Sequence, residues 1–462
     1  MNCLIGLDIG TTAIKGVLMR EDGKILQTVS GGYEYYSDAL GKRMQPRKFL
    51  EVCFSVIRSL AASADGEDRV AAVCSCCASG NLVLLDRKNE PVTDVIGWQT
   101  KIAQEDLDRF FTKEEQAAFY PIVGWPLSGY FPASYLAWIN LYRPELLERT
   151  ETVTMTCEYL NFALTGKWGI SQSMATPSFL ADQEKGVYWK PLLEKLGIAG
   201  KFLPPILDKG TVLGSLLPDV AKELGLGTDT KVVLGSFDHP SGATGSGVFD
   251  EGEMLLSCGT SWVEFFPVAS RGLAISTGGL VDRFMLDGAP YCVMKSITSV
   301  SEKIDALRLH YLGEISHREY DELAVAAPYG SNGLRFSFTD EDYTVGASHT
   351  KSDVARAIIE GAAFILRENL AAVEGRGLRA ERITMIGGIS NSPVCVDIVA
   401  QILGRPVRRA NGQVAGAVGS AMLAGIGLGI YRNERDAFLR YSEMNTGDTD
   451  EQTSNPSGHA GI

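Results

Sequence analysis

Two segments of the chain share the same order of apolar and polar residues. In each, an apolar run stops at a glycine, two small hydroxyl residues follow, and a second apolar run begins, over residues 4–19 and 255–266. This order predicts a strand, a tight turn and a second strand in both places. Glycine at such a turn lets backbone N–H groups converge on an anion, and nearby hydroxyls and Lys15 add donors and charge. Two hairpins of this kind would suit a polyphosphate held from both sides.

The rest of the first half mixes strand-like and helix-like stretches. Apolar runs at residues 25–30, 70–74 and 82–85 predict strands, and residues 46–62 predict a helix. Strands that alternate with crossover helices indicate an α/β layered fold. Residues 104–225 read as mainly helical, with glycine and proline breaks.

The second half repeats the pattern of the first. Strands are predicted near residues 253–258, 262–266 and 291–295, and helices follow them. Such repetition indicates duplicated domains. We therefore expect an N-terminal domain over residues 1–248 and a C-terminal domain over residues 249–445.

Two later features are well specified. Thr350 and Asp353 have capping-box spacing ahead of a helix that should end at Gly375. Residues 383–386 predict a strand that runs into Gly387-Gly388-Ile389-Ser390-Asn391 and then into a helix over 393–403. The polar residues 446–462 are expected to form a disordered tail.

Composition narrows the class of protein. The 462 residues suggest two large domains or three smaller ones, and 43 basic against 56 acidic side chains give a formal charge of −13. Because the basic residues are scattered, nucleic acid is not the expected partner. No uncharged apolar stretch of about 18 residues and no signal-peptide pattern occur, so we expect a cytoplasmic protein without a membrane partner.

Cysteines are read as thiols rather than ligands. Nine are present, and the tightest group is Cys74, Cys76 and Cys77 on an apolar run. No second pair stands at zinc spacing, so a buried strand is favoured over a metal or redox site.

Asp8 ends the first apolar strand. The sequence Asp8-Ile9-Gly10 alone fits an ordinary turn. Thr11, Thr12 and Lys15 favour instead a site for phosphate and magnesium, because hard oxygen ligands and a cation suit those charges. The chain has no Gly-x-x-x-x-Gly-Lys-Ser/Thr loop, so a Walker-type site is excluded.

Asp238 ends another buried strand, at the place where ligands tend to bind in open α/β sheets. Two readings stay open from the residues alone. The carboxylate caps the following small-residue helix, or it takes a proton from a hydroxyl group that attacks phosphorus. The glycines of Gly387-Gly388-Ile389-Ser390-Asn391 fit either ordinary packing or the approach of a flat ring to the backbone.

Taken in order, these motifs resemble the FGGY family of carbohydrate kinases. The resemblance extends over roughly residues 3–430 and rests on Gly6-Leu7-Asp8-Ile9-Gly10-Thr11-Thr12 with Lys15, Gly235-Ser236-Phe237-Asp238, Ser257-Cys258-Gly259-Thr260-Ser261, and Gly387-Gly388-Ile389-Ser390-Asn391 with Gly419-Ser420-Ala421.

The resemblance implies two actin-like, ribonuclease-H-like domains that flank a central ligand cleft. It implies ATP and Mg²⁺, with Asp8 holding the magnesium through water and Asp238 as the catalytic base. The remaining nucleotide contacts that it implies are Gly10, Thr11, Thr12, Lys15, Gly259 and Thr260 for the phosphates, and Gly387, Gly388 and Asn391 for the adenosine.

The sugar side departs from the better-known members of that family. Ala78-Ser79-Gly80-Asn81 stands where xylulose kinases have Gln-Met-His-Gly. Trp98-Gln99-Thr100-Lys101-Ile102 stands where many members have Trp-Asn/Gln-Asp-x-Arg, so the family's acidic residue and arginine are both absent. The identity of the sugar therefore cannot be copied across. The expected substrate contacts are Ser79, Gly80, Trp98, Gln99, Asp238 and His239.

We expect ATP-dependent phosphorylation of a small sugar, most simply a ketose such as a pentulose, or a related polyol. The alternatives are an actin- or heat-shock-type ATPase without a sugar substrate, and a non-catalytic nucleotide or sugar sensor. A homodimer is compatible with the sequence.

Overall fold

A computed structural model describes residues 1–39, 41–78, 80–259, 261–338 and 345–445. These residues form two compact units. Unit 1 contains Met1–Gly247, Leu280–Tyr291 and Val414–Asn445, and unit 2 contains Val248–Gly279 and Cys292–Gln413. Each unit is thus built from separate stretches of chain. The predicted roles of residues 1–248 and 249–445 stay predictions, and the predicted tail lies outside the described residues.

The first 247 residues contain short strands and helices in alternation. The strands are β1 (Asn2–Ile9), β2 (Ala13–Arg20), β3 (Ile25–Gly32), β4 (Tyr36–Asp38), β5 (Gly41–Met44), β6 (Arg69–Cys77), β7 (Leu82–Leu85), β8 (Val95–Ile96), β9 (Thr152–Met155), β10 (Ile170–Ser171), β11 (Ala181–Asp182), β12 (Val187–Tyr188), β13 (Ile206–Leu207), β14 (Val212–Ser215) and β15 (Lys231–Phe237). The helices are α1 (Pro46–Ala61), α2 (Gln104–Phe110), α3 (Lys113–Val123), α4 (Pro132–Tyr142), α5 (Pro144–Arg149), α6 (Thr156–Thr165), α7 (Gln172–Ala175), α8 (Lys190–Lys195), α9 (Pro218–Leu224) and α10 (Asp238–Gly245).

The main sheet of unit 1 has the strand order β14-β15-β6-β1-β2-β3. Strand β1 pairs antiparallel with β2, which places Asp8 opposite Lys15, and parallel with β6. The first predicted hairpin is therefore confirmed. Helix α1 covers this sheet with the buried face Phe49, Cys53, Val56, Ile57 and Leu60, at the spacing of an amphipathic helix.

A second sheet in the same unit has the order β4-β5-β8-β7-β9. The prediction that residues 104–225 are mainly helical was incomplete, because β9 to β14 lie in that stretch. These strands have two to four residues each. Strands so short give no readable alternation of apolar and polar residues.

The remaining chain supplies a second set of elements. The strands are β16 (Gly252–Cys258), β17 (Trp262–Val268), β18 (Leu280–Arg283), β19 (Tyr291–Ile297), β20 (Ala380–Gly387) and β21 (Val407–Arg409). The helices are α11 (Arg271–Ser276), α12 (Val300–Leu312), α13 (His317–Ala326), α14 (Lys351–Glu374), α15 (Pro393–Leu403), α16 (Ala415–Gly427) and α17 (Glu434–Met444).

Unit 2 repeats the sheet plan of unit 1. Its strands stand in the order β19-β17-β16-β20-β21, with β16 antiparallel to β17 and parallel to β20. The corresponding order in unit 1 is β3-β2-β1-β6-β15. The second predicted hairpin and the predicted duplication are both confirmed.

The long helix α14 begins where the sequence predicted. The Thr350 hydroxyl accepts a hydrogen bond from the Asp353 N–H at 3.3 Å, and the Asp353 carboxylate accepts one from the Thr350 N–H at 2.8 Å. This capping box satisfies two N–H groups that the helix itself leaves unpaired. Within the described residues, no helix is both long and apolar enough to cross a bilayer.

Helix α16 approaches both β1 and α10 at backbone distance. A Cβ atom on Gly6 would lie 1.9 Å from the Ala417 carbonyl oxygen, and one on Gly419 would lie 2.0 Å from the Ser241 carbonyl oxygen. The Ser420 hydroxyl donates a hydrogen bond to the Leu7 carbonyl oxygen at 3.1 Å. Glycine is therefore required at these contacts by space alone.

We predict that Gly419→Ala lowers the free energy of unfolding by about 3 kcal/mol, because the new methyl group would collide with backbone that cannot move independently. Gly200→Ala is the matched control, since a Cβ there meets nothing within 4 Å. Urea unfolding of both variants measures the difference. Equal stabilities would contradict the packing described.

Candidate functional site

The turn of the first hairpin is tightly fixed. The Gly10 N–H donates to the Ala13 carbonyl oxygen at 3.1 Å, and the Tyr33 hydroxyl donates to the Gly10 carbonyl oxygen. Thr12 and Lys15 are exposed beside this turn. Their hydroxyl and ammonium groups are thus available to an anion, as predicted for a phosphate loop.

A predicted sugar contact and a predicted phosphate contact meet at this turn. The Trp98 indole N–H donates to the Thr11 hydroxyl at 3.2 Å. The Trp98 backbone N–H donates to the buried Asn81 side-chain oxygen at 2.9 Å. Asn81 thereby orients the segment that carries Trp98, a role that the sequence analysis did not assign to it.

Asp8 lies at the end of β1 in a crowded pocket. The Cys76 thiol donates weakly to its carboxylate at 3.7 Å. On the other side, a Cβ on Gly416 would come within 2.7 Å of the carboxylate, so only glycine fits there. Burial, and then the charge of Asp238, raise the pKa of Asp8 to about 6, and the charge of Lys15 opposes this rise.

Asp238 is the first residue of α10, directly after β15. The N-cap position belongs to Phe237, so the alternative that Asp238 is the N-cap residue is wrong. Its carboxylate accepts a hydrogen bond from the His239 N–H at 2.8 Å. Burial raises the pKa of Asp238 to about 7. A carboxyl group with this pKa can both accept and release a proton near neutral pH.

His239 follows Asp238 in the chain, and its imidazole is neutral near pH 7. Burial lowers its pKa to about 4, and its ring stands edge-on to Phe237 at a centroid distance of 5.3 Å. A neutral imidazole offers one donor and one acceptor, which suits a hydroxyl-bearing ligand.

The predicted sugar-side segments have distinct environments. Gly80 has φ +92°, and a Cβ there would lie 2.6 Å from the Phe131 ring and 3.3 Å from Trp98. Gln99 is exposed. Ser79 lies outside the described residues.

Thr100 and Lys101 differ in what they can offer a ligand. Thr100 is buried, and its hydroxyl exchanges two hydrogen bonds with the Lys42 backbone, at 3.0 and 3.2 Å. Its hydroxyl therefore stabilises β5 and is not available to a ligand. The exposed Lys101 ammonium lies 5.9 Å from the Tyr130 ring centroid, and no carboxylate in the described part of the chain approaches it within 4 Å.

The second hairpin turn lies in unit 2. The Gly259 carbonyl oxygen accepts a hydrogen bond from the Ser301 hydroxyl at 2.6 Å, and that hydroxyl accepts one from the Trp262 indole at 3.2 Å. Ser301 therefore ties the turn to α12. The sequence analysis missed it, because no motif marks a hydroxyl that comes from a distant helix. Thr260 lies outside the described residues.

A cavity of about 600 Å³ opens in unit 2 beside this turn. Gly388 and Asn391, two of the three residues expected to border an adenosine, line this cavity, whereas the third, Gly387, packs against Cys258. Polar residues from α12 and α13 that the sequence analysis did not select also line it: Glu302, Asp305, Arg308, His317 and Asp321. The size and mixed lining suit a nucleoside-sized ligand.

The described residues contain no group of three or more His, Cys, Asp or Glu side chains able to hold a metal ion. Magnesium does not need such a group, because it keeps several waters and takes one or two carboxylates plus substrate phosphates. The partly buried Asp8 beside a phosphate-type turn fits this mode of binding.

Comparison with known proteins gives one family for both parts of the chain. The profile of the N-terminal domain of the FGGY family of carbohydrate kinases matches residues 3–245, and that of its C-terminal domain matches residues 296–428. A xylulose kinase of Staphylococcus epidermidis is 26% identical over 464 residues, covering 96% of this chain and 92% of the relative.

Two further relatives are similar over most of their length. The L-xylulose/3-keto-L-gulonate kinase of Escherichia coli is 28% identical over 406 residues, covering 84% of this chain and 80% of that protein. The solved structure of a ligand-bound xylulose kinase from Lactobacillus acidophilus superposes with a TM-score of 0.87 at 23% identity, covering 96% of this chain and 92% of that one.

We predict that Asp238→Asn stabilises the ligand-free, magnesium-free protein more at pH 8 than at pH 4.5. A carboxyl group whose pKa is raised on folding binds its proton more tightly in the folded state, so the wild type loses stability as the pH rises from about 4 to 7. Asparagine has no such dependence. The gain at pH 8 is at most about 4 kcal/mol, at about 1.4 kcal/mol for each pKa unit.

Chemical unfolding at the two pH values measures this difference. Asp65→Asn, at an exposed turn, controls for the loss of one negative charge. A gain of the same size at both pH values would contradict the environment assigned to Asp238.

Proposed function

We propose, because the chain belongs to the FGGY family of carbohydrate kinases, that it transfers the γ-phosphoryl group of ATP to a hydroxyl group of a ketose such as a pentulose. The family and the two-domain, actin-like α/β fold expected from the sequence are both confirmed. The chain is an ATP-dependent carbohydrate kinase. The observation that carries the proposed chemistry is the carboxyl group of Asp238, whose pKa is raised to about 7 beside Asp8.

Asp238 is the proposed base. As the acceptor oxygen bonds to the γ-phosphorus, the bond from that phosphorus to the bridging oxygen breaks and ADP leaves. The O–H bond of the acceptor breaks in the same step, and its proton moves to the Asp238 carboxylate. In phosphoryl transfer this proton leaves late, so a base with a pKa near 7 is sufficient. The hydrogen bond from the His239 N–H holds the carboxylate in position before the proton is transferred.

Asp8 and the first hairpin form the proposed phosphate site. Asp8 would hold Mg²⁺ through water, and the ion when bound would neutralise charge on the phosphate oxygens. The N–H groups of Thr11 and Thr12 and the ammonium of Lys15 would contact the same oxygens. Gly10 would shape the turn, because its own N–H is bonded to the Ala13 carbonyl oxygen. The raised pKa of Asp8 supports this proposal, because a partly buried carboxylate near a second carboxylate gains most from a cation.

Unit 2 supplies the proposed nucleoside site. Gly259, with Thr260, would contact phosphate at the second turn, and Gly387, Gly388 and Asn391 would border the adenosine. The cavity of about 600 Å³ next to Gly259 supports this assignment. Gly387 would act indirectly, because its φ of +103° and its contact with Cys258 shape the turn before Gly388.

The acceptor site is proposed around Trp98, Gly80, Gln99 and His239, with Ser79 as a further member. Two relatives named above are called kinases of xylulose or L-xylulose, which favours a ketose. Because no carboxylate of the described residues lies within 4 Å of the Lys101 ammonium, a keto sugar acid also belongs among the compounds to be tested.

The alternatives raised by the sequence gain no support. An ATPase without a sugar substrate and a non-catalytic sensor both lack a specific observation in their favour. The proposed homodimer and cytoplasmic location stay predictions.

Acceptor-dependent release of ADP tests the proposal directly. Pentuloses, hexuloses, aldoses, polyols and a keto sugar acid are each added to protein, ATP and Mg²⁺. We expect at least one ketose to raise ADP release far above the rate with ATP alone. ADP release that no sugar stimulates would favour an ATPase, and ATP binding without any turnover would favour a sensor.

The variant Asp238→Ala tests whether Asp238 is the base. We expect transfer to fall by about a hundredfold to ten-thousandfold, the usual contribution of a general base, while the Kd for ATP changes by less than about twofold. Asp65→Ala is the control. Near-normal turnover of Asp238→Ala would remove Asp238 from the role of base.

A further inference from the structure

We propose that Ser173 and Asp282 are positioning residues that fix the backbone of Phe237 and so aim the carboxylate of Asp238. The proposal rests on the proposed function, in which Asp238 is the base. All four residues belong to unit 1, although Asp282 comes from the separate segment Leu280–Tyr291.

The Ser173 hydroxyl lies between the other two groups. It donates a hydrogen bond to the Asp282 carboxylate at 2.7 Å and accepts one from the Phe237 N–H at 3.1 Å. Ser173 is 1% exposed, Asp282 is fully buried and Phe237 is 6% exposed. A buried relay of this kind is shielded from competing water.

The direction of the relay follows from its chemistry. A serine hydroxyl has one proton to donate and two lone pairs that accept. Because Asp282 takes that proton, the Ser173 oxygen presents a lone pair to the Phe237 N–H.

The sheet itself does not hold Phe237 regularly. Strand β15 pairs in parallel with β6 up to Leu234, and the register then shifts before Phe237. Phe237 is also the N-cap of α10, so its N–H has no partner within that helix. A buried N–H group needs an acceptor, and Ser173 provides it.

A second contact to Phe237 comes from Trp125, which is held in turn by β18, the strand that carries Asp282. The Trp125 ring stands edge-on to the Phe237 ring at a centroid distance of 5.7 Å. The Trp125 indole N–H donates to the Val281 carbonyl oxygen at 2.9 Å. Residues 281 and 282 therefore restrain both the ring and the backbone of the residue that precedes Asp238.

We expect Ser173→Ala to lower kcat by about tenfold to a hundredfold while the KM values for ATP and acceptor change by less than about twofold, because a displaced base slows the chemical step rather than binding. Asp282→Ala should act in the same direction. Asp282→Asn keeps an oxygen that can accept from Ser173 and should retain most of the activity.

Thr230→Val is the matched control. Thr230 is 1% exposed and donates a hydrogen bond to the Val70 carbonyl oxygen at 3.0 Å, at the opposite end of β15. It should lose comparable stability without the loss of kcat. An equal fall in kcat for Thr230→Val at matched stability would overturn the proposal.

A double-variant cycle separates positioning from general stability. In the Asp238→Ala background, Ser173→Ala should cause no further loss of turnover, since the group that it aims is already absent. A full additional loss would show that Ser173 acts by another route and would contradict the proposal.

Hydrogen exchange provides a readout that does not depend on activity. Ser173→Ala should speed exchange of the Phe237 amide, whereas Thr230→Val should leave it unchanged. If the wild type proves inactive, the proposed function fails, and this exchange still decides whether Ser173 holds Phe237. Unchanged protection in Ser173→Ala would overturn the positioning role on its own.

Discussion

The close contact of α16 with both β1 and α10 is the constraint on which the rest of unit 1 depends. A Cβ on Gly245 would lie 2.0 Å from the Ala415 carbonyl oxygen, and Gly6 and Gly419 meet backbone at similar distances. Only glycine allows backbones to approach so closely. This approach brings the ends of two strands and the starts of two helices to one edge of the sheet, where α/β folds bind ligands.

Two carboxyl groups share that edge at a cost in stability. Burial raises the pKa of both Asp8 and Asp238. Among the described residues, no arginine contacts either carboxylate to stabilise its charge. A site of this kind is less stable without its ligands than a well-packed apolar core would be. The same desolvation favours a cation at Asp8 and a proton acceptor at Asp238, so the chemistry and the instability have one cause.

Prediction from the sequence succeeded where local pattern and local chemistry coincide. The turns after Asp8 and Cys258 carry glycine and hydroxyl residues in the loop itself, so both hairpins could be read directly. The capping box of Thr350 is likewise local. Asp238 was selected for its place at a strand end, but its alternative role as a cap could not be decided without the backbone conformation of Phe237.

The residues that were missed act across long distances in sequence. Ser173 and Asp282 are 109 positions apart, and Ser301 meets Gly259 across 42 positions. Serine and aspartate are common, and their spacing carries no signal until the fold brings them together. Thr100 shows the opposite kind of error. It occupies a position at which the family contacts sugar, but its hydroxyl forms hydrogen bonds with the Lys42 backbone instead.

The distance from the acceptor hydroxyl oxygen to the Asp238 carboxylate tests most directly whether Asp238 is the base. A crystal structure with Mg²⁺, a non-hydrolysable ATP analogue and the best ketose acceptor would measure it. The account predicts that the reacting hydroxyl oxygen lies within about 3 Å of an Asp238 carboxylate oxygen. An acceptor whose hydroxyl group that becomes phosphorylated lies out of reach of Asp238 in this complex would contradict it.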